Sequence, residues 1–227
     1  MPAPVELMDP TTANPSALAT APDRFEAHDL HCIRHDRSLF AGLNFALTAG
    51  QIIQIEGPNG SGKTSLLRML CGLLQPAQGE VRWRGVDIQA QRAEFLADVA
   101  YIGHLHGIKE DLSPRENLRM AQALGRTRND ISLDQALQQV GLYGFEDLPS
   151  RTLSAGQRRR VALARLLVLD ARVWVLDEPF TALDRSGKAL IEAMLEAHSR
   201  NGGIAILTTH QPVELTQCEL LSLQLAA

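Results

Sequence analysis

Aromatic residues are scarce in this chain: two Trp, two Tyr and six Phe among 227 residues. A core with so few rings must rest on aliphatic packing, and an apolar fraction of 45% supplies it. Cysteine is scarcer still. Cys32, Cys71 and Cys218 stand far apart, which excludes a disulfide framework and suits reduced, structural thiols. No apolar run reaches the length that spans a bilayer. Basic residues are not in excess: 22 Lys and Arg against 26 Asp and Glu leave a net charge of −4. A dedicated nucleic-acid binder would show a strongly basic face, so that class is not expected. The first two dozen residues hold Glu6, Asp9 and Asp23 without a basic n-region, so no signal peptide is read there. These limits describe a cytosolic chain of one large domain, or of one domain with a small subdomain.

What the chain has is a glycine loop. Gly57-Pro58-Asn59-Gly60-Ser61-Gly62-Lys63-Thr64 follows an apolar strand-like run, 51–56, and leads into a helix-like one starting at Ser65. Strand, G-x-x-x-x-G-K-T, helix is the context of a phosphate-binding P-loop. Glycines let successive backbone N–H groups curl around phosphate oxygens. The helix that follows adds its positive N-terminal end. In such a loop Lys63 can meet the β- and γ-phosphates of a nucleotide and the Thr64 hydroxyl can ligate Mg²⁺.

Residues 1–23 are rich in Pro, Ala and Thr without hydrophobic period and read as an extension. Two short strands are expected between Phe25 and about Phe45, parted by a polar turn at residues 34–37. The helix after Thr64 should end near Gly72, and strands are expected at 79–85 and 99–102. From 109 to 153 the pattern turns helical. Ser113-Pro114-Arg115-Glu116 and Ser132-Leu133-Asp134-Gln135 are capping boxes, the first with proline at N1. The α/β pattern resumes at Ser154, with strands at 173–176 and 204–208 and a helix between them. Alternation of this kind argues for a mainly parallel sheet flanked by helices, with a helical subdomain inserted.

The strand at 173–176 delivers Asp177 and Glu178 to its C-terminal end, where open α/β sheets bind ligands. Consecutive strand residues face opposite ways, so the two acids divide the work unless the strand has already turned. One can serve Mg²⁺ and the other can poise a water. Leu153-Ser154-Ala155-Gly156-Gln157 then supplies a helix N-terminus suited to an anion, with Ser154 as N-cap and Gly156 permitting close approach. An ordinary capping box between Ser154 and Gln157 accounts for the same residues. The following Arg158-Arg159-Arg160 fans around about 200° of a helix, too wide for one patch. These arginines are expected on a solvated face near ATP or a partner.

These motifs together resemble those of ATP-binding-cassette (ABC) ATPases, from about Phe25 onward. The resemblance implies a P-loop α/β cassette with a small antiparallel β part, residues 24–227. Its core would be 24–108 and 154–227, and its helical subdomain 109–153. It implies two copies sandwiching two ATP, with Ser154, Gly156 and Gln157 of one copy completing the P-loop site of the other. Residues 57–65, ending in Ser65, would bind ATP, and Thr64 and Asp177 would hold Mg²⁺. Lys63, Glu178 and His210, the last as switch histidine, would be catalytic, and Ala182-Leu183-Asp184 would cross the dimer seam. Two departures stand out. The position of the adenine-stacking aromatic holds Arg34 and His35, either of which can stack. The loop after Tyr101-Ile102 reads Gly103-His104-Leu105-His106-Gly107 and lacks the family's glutamine. His104 or His106 could replace it, or no side chain does.

The phrases around Tyr101–His104, Phe145–Pro149, Leu153–Arg165 and Thr208–Pro212 further resemble the ATP-binding subunit of bacterial haem exporters in cytochrome c maturation. That resemblance implies an ATP-hydrolysing subunit peripheral to the cytoplasmic face of the inner membrane, bound to integral membrane subunits. Those partners, not this chain, would handle haem. The alternatives are the ATPase of another transporter, or a soluble ABC ATPase acting on nucleic acid or ribosomes. The His28–His35 stretch is not a C-x-x-C-H haem motif, and its histidines are read as structural or surface residues.

Overall fold

The computed structural model describes residues 21–225 apart from His35 and His106. The expected turn partner His35, the loop residue His106 and all but the last three residues of the 1–23 extension therefore lie outside the described residues.

Two sheets form. β1 (Arg24–Arg34) and β2 (Arg37–Thr48) make a long antiparallel hairpin, joined by β4 (Gln78–Trp83) and β5 (Val86–Asp87) in the order β2-β1-β4-β5. The second sheet is wholly parallel, in the order β6-β7-β8-β3-β9. Its strands are β3 (Ile52–Glu56), β6 (Val99–Ile102), β7 (Val173–Asp177), β8 (Ile204–Thr208) and β9 (Leu220–Gln224). The helices are α1 (Lys63–Leu70), α2 (Arg92–Asp98), α3 (Pro114–Leu124), α4 (Leu133–Gln139), α5 (Ala155–Val168) and α6 (Arg185–Arg200).

The parallel sheet separates two apolar layers by the period-2 rule. Val173 and Val175 pack with α1 residues Leu66, Leu67 and Leu70 and with Phe25, Leu30 and Trp83 of the antiparallel sheet. Trp174 and Leu176 pack the other way, with Ala162, Leu163 and Leu166 of α5 and Ile191 and Leu195 of α6. Every residue of β7 and β8 is buried, as strands covered on both faces must be. A third layer joins Leu118 of α3 and Ala136 and Leu137 of α4 to Val161, Ala164 and Val168 of α5. Helix α5 thus packs on both the sheet and the α3–α4 pair.

Local signals hold where they were strongest. The capping boxes at Ser113, Ser132 and Ser154 are all formed, each serine accepting from the N3 backbone. Differences occur where the pattern was weak. The first hairpin runs on to Thr48, and α2 and β9 carry no clear period. β9, half exposed, exists because β3 offers it a hydrogen-bonding edge. The 158–160 arginines are not a solvated face: Arg159 is only 1% exposed. A fan of 200° sends its middle member wherever the helix is covered, and here that is inward.

A candidate phosphate cleft at the sheet edge

Parallel pairing brings the chemistry to one edge. Ile55 and Asp177 both align with Thr208, and Ile102 aligns with Leu176. Gly57, Gly103, Glu178 and Thr209, each the residue after its strand, therefore all leave the sheet at this one edge. The cleft there has a volume of about 490 Å³. Asn59, Gly60, Gly62, Lys63, Thr64 and Ser65 line one side, and Asp177, Glu178, Thr181, His104 and His210 the other.

Gly62 caps α1 with φ +98°, and a Cβ there would come within 3.2 Å of Leu39 and Phe40. Only glycine meets both demands without strain. Lys63 curls back, its Nζ donating to the carbonyls of Gly57 at 2.6 Å and Pro58 at 3.1 Å. Ser61 is buried, and its Oγ has no hydrogen-bond partner among the described residues.

The two acids sit in different surroundings. Asp177 is buried; its Oδ1 accepts from Thr208 Oγ1 at 2.8 Å and its Oδ2 from Thr64 Oγ1 at 3.0 Å. Glu178 sits at φ +51°, so the strand has already turned and both carboxylates reach the cleft. Its N–H donates to the Thr208 carbonyl and hydroxyl, both at 3.1 Å. Among the described residues the buried Glu178 Oε1 has no hydrogen-bond partner, and His210 Nε2 stands 3.5 Å from it. Thr64 and Asp177 offer oxygen donors side by side, the set a hard divalent cation such as Mg²⁺ takes.

Ser154, Gly156 and Gln157 do not line this cleft. Ser154 is exposed, and Ser154 and Gln157 close their capping box at 3.2 and 2.8 Å. A Cβ on Gly156 would come within 2.9 Å of the Ala182 carbonyl, so glycine is what lets this helix start approach the 182–184 turn. Asp184 N-caps α6 by accepting from the Gly187 N–H at 2.8 Å.

His104 lines the cleft, while Leu105 beside it is 85% exposed. Arg34 is exposed and does not line it; Leu39 does. His28 and His31 lie on β1 beside Glu26 and Asp29.

Sequence reasoning missed three residues. Thr208 ties Asp177 to Glu178. Asn117 donates to the Lys109 and Ser113 carbonyls and anchors the loop before α3. Arg159 donates to the carbonyls of Gly103, Asp177, Glu178 and Pro179. A buried Arg after a helix cap has no periodic signal; only the triple-Arg run drew attention to it. A larger cleft of about 880 Å³ lies among the ends of α4, α5 and α6, walled by Arg128, Trp174 and His198. It shares no lining residue with the cleft at the glycine loop.

The sequence profile of the ABC transporter family matches residues 40–181. The chain is 54% identical over 199 residues to the cytochrome c biogenesis ATP-binding export protein CcmA of Methylococcus capsulatus, covering 87% of this chain and 96% of that one. It is 51% identical to the protein of the same name from Nitrosospira multiformis, covering 88% and 98%. Among solved structures, a putative ABC transporter ATP-binding protein from Pyrococcus furiosus superposes with a TM-score of 0.75 at 26% identity, covering 89% of this chain and 97% of that one. The chain belongs to the ABC transporter family, among the cytochrome c biogenesis ATP-binding export proteins.

Proposed function

We propose that this chain is the ATP-hydrolysing subunit of a transporter complex serving haem export, or release of a haem-loaded carrier, in c-type cytochrome biogenesis. The observation that carries the reading is the meeting of the Lys63 loop, the Thr64–Asp177 pair and the Glu178 carboxylate, with His210 beside it, in one cleft. The names of relatives about half identical to this chain supply the cytochrome c context.

Loop amides and Lys63 hold the phosphates, with Lys63 exchanging its carbonyl partners for phosphate oxygens. Mg²⁺, held by Thr64 and Asp177, would offset phosphate charge. Glu178 Oε1 orients water against the γ-phosphate, and His210, close beside it, braces that phosphate. Catalysis of this kind is positioning plus charge stabilisation. Ser154, Gly156 and Gln157 serve the cleft of a second copy, a reading supported by Ser154 being exposed and all three lying outside their own chain's cleft. Residues 24–227 act as one ATPase domain, with 109–153 as its helical insert. Among the described residues no helix is long and apolar enough to cross a membrane. Integral membrane subunits hold the chain to the cytoplasmic face of the inner membrane, and haem stays with those partners.

Deleting the gene tests the reading. Loss of c-type cytochromes with b-type ones spared is expected. Normal c-type cytochromes in the deletion strain would overturn the cytochrome role, and absence of ATP turnover by the purified complex would overturn the enzymatic one.

A further inference from the structure

The sharpest feature outside the motifs is the environment of Arg159. Backbone carbonyls in a strand alternate in direction, yet those of Asp177, Glu178 and Pro179 converge on one guanidinium. They can do so because Glu178 adopts φ +51°. Converging carbonyl dipoles repel one another, and a cation between them offsets the repulsion. Arg159 Nη2 takes the Glu178 carbonyl at 2.8 Å and the Asp177 carbonyl at 3.1 Å, while Nε takes Pro179 at 3.1 Å. From its other end Nη1 reaches the Gly103 carbonyl at 3.1 Å, at the root of the loop that carries His104.

Glu178 is thus gripped on both sides of its α-carbon. Its N–H is held by Thr208 and its carbonyl by Arg159. A non-glycine residue at positive φ persists only where its surroundings over-determine it. The planar fork of arginine can span several carbonyls at once, whereas lysine offers a single point. Burial pushes the Arg159 guanidinium down to about 10, while the Asp177 and Glu178 charges draw it up, so it stays protonated at neutral pH.

We propose that Arg159 is a positioning residue for ATP hydrolysis: its buried guanidinium fixes the turned backbone that aims Glu178 into the cleft and ties it to the Gly103–His104 loop. The assignment rests on the reading of Glu178 as the group that orients water. Among the described residues, Arg159 donates to the carbonyls of Gly103, Asp177, Glu178 and Pro179, which lie outside the glycine loop. Its loss therefore acts on turnover and spares nucleotide affinity.

The test is a double-mutant cycle in the full chain, with equilibrium ATP binding and single-turnover hydrolysis measured on each variant. Arg159→Met should lower the hydrolysis rate at least ~10-fold and leave the ATP Kd within about threefold, and Arg159→Lys should recover part of the rate. On the Glu178→Gln background, Arg159→Met should cost less than about twofold, because the two residues act as one unit. If Arg159→Met does not fold, Arg159→Lys carries the same cycle, with a loss that vanishes on the Glu178→Gln background. A rate within twofold of wild type for both variants would overturn the proposal while a dead Glu178→Gln kept the functional reading intact. So would a loss that recurs in full beside Glu178→Gln, or one that tracks weakened ATP binding. Unchanged turnover in Glu178→Gln alone would overturn both.

Discussion

Thr64 Oγ1 donates to Asp177 Oδ2 across 3.0 Å although 113 positions separate them in the chain. The contact exists because β3 and β7 run parallel with β8 between them, so that their C-terminal ends share one edge. Asp177 then presents one oxygen to Thr64 and the other to Thr208; it is buried together with Thr208, while Thr64 is exposed at the cleft.

From this follows a metal-specific expectation. Asp177→Asn keeps the shape but halves the acceptor capacity and removes the charge that draws a divalent cation. The Mg²⁺ concentration giving half-maximal hydrolysis should rise at least ~10-fold. An unchanged Mg²⁺ titration would remove Asp177 from the metal site.

Glu178→Gln separates binding from hydrolysis. The amide fits the same space, but it cannot accept from water as the carboxylate does. ATP affinity should stay within a few-fold of wild type while turnover falls by at least ~100-fold, and ATP should accumulate in a stable two-copy species visible by size-exclusion chromatography. Wild-type turnover in this variant would refute the assignment.

Thr208→Val tests the link between the two acids. Valine fills the same volume but offers no hydroxyl, leaving Asp177 Oδ1 without its 2.8 Å donor and the Glu178 N–H with the Thr208 carbonyl alone. Stability should fall by about 1–3 kcal/mol, read from a denaturant midpoint, with a parallel drop in turnover. A midpoint equal to wild type would mean that the hydroxyl is dispensable.

Away from the cleft, His198 stacks on Trp174 with ring centroids 3.8 Å apart. Burial holds its imidazole down at about 4 from an ordinary 6.5, despite hydrogen bonds to the Ile204 and Arg172 backbone carbonyls, which accept. The unfolded chain takes up this proton below pH 6.5 and the folded one resists it until about 4. Stability is therefore full above 6.5 and is lost as pH falls through that window, by on the order of 3 kcal/mol at most. His198→Phe, which keeps a ring on Trp174, should flatten the thermal midpoint between pH 6.5 and 4. An equally steep fall in the variant would assign the acid sensitivity elsewhere.

Much of the molecule was legible because its signals are local. Ser113, Ser132 and Ser154 cap their helices with partners three residues away, so a short window contains the whole interaction. Val99–Ile102 and Ile204–Thr208 are short apolar runs that packing on both faces forces into strands. β9 was not legible, since its half-exposed residues become a strand only beside β3. Nor was Arg159: a helical wheel says how three arginines diverge, but not that a turned strand end waits beneath the middle one.

The sequence by itself determined the glycine loop, the caps, the order of the strands and helices with a clear period, and the residue types able to meet phosphate and metal. Each depends on the backbone chemistry of a few adjacent residues. Only the tertiary structure decided that Glu178 turns out of its strand at φ +51°, that Thr208 bridges the two acids, and that Arg159 gathers carbonyls from positions 103 and 177–179. Those facts depend on groups 18 to 56 residues apart in the chain, and the sheet must form before any of them can meet.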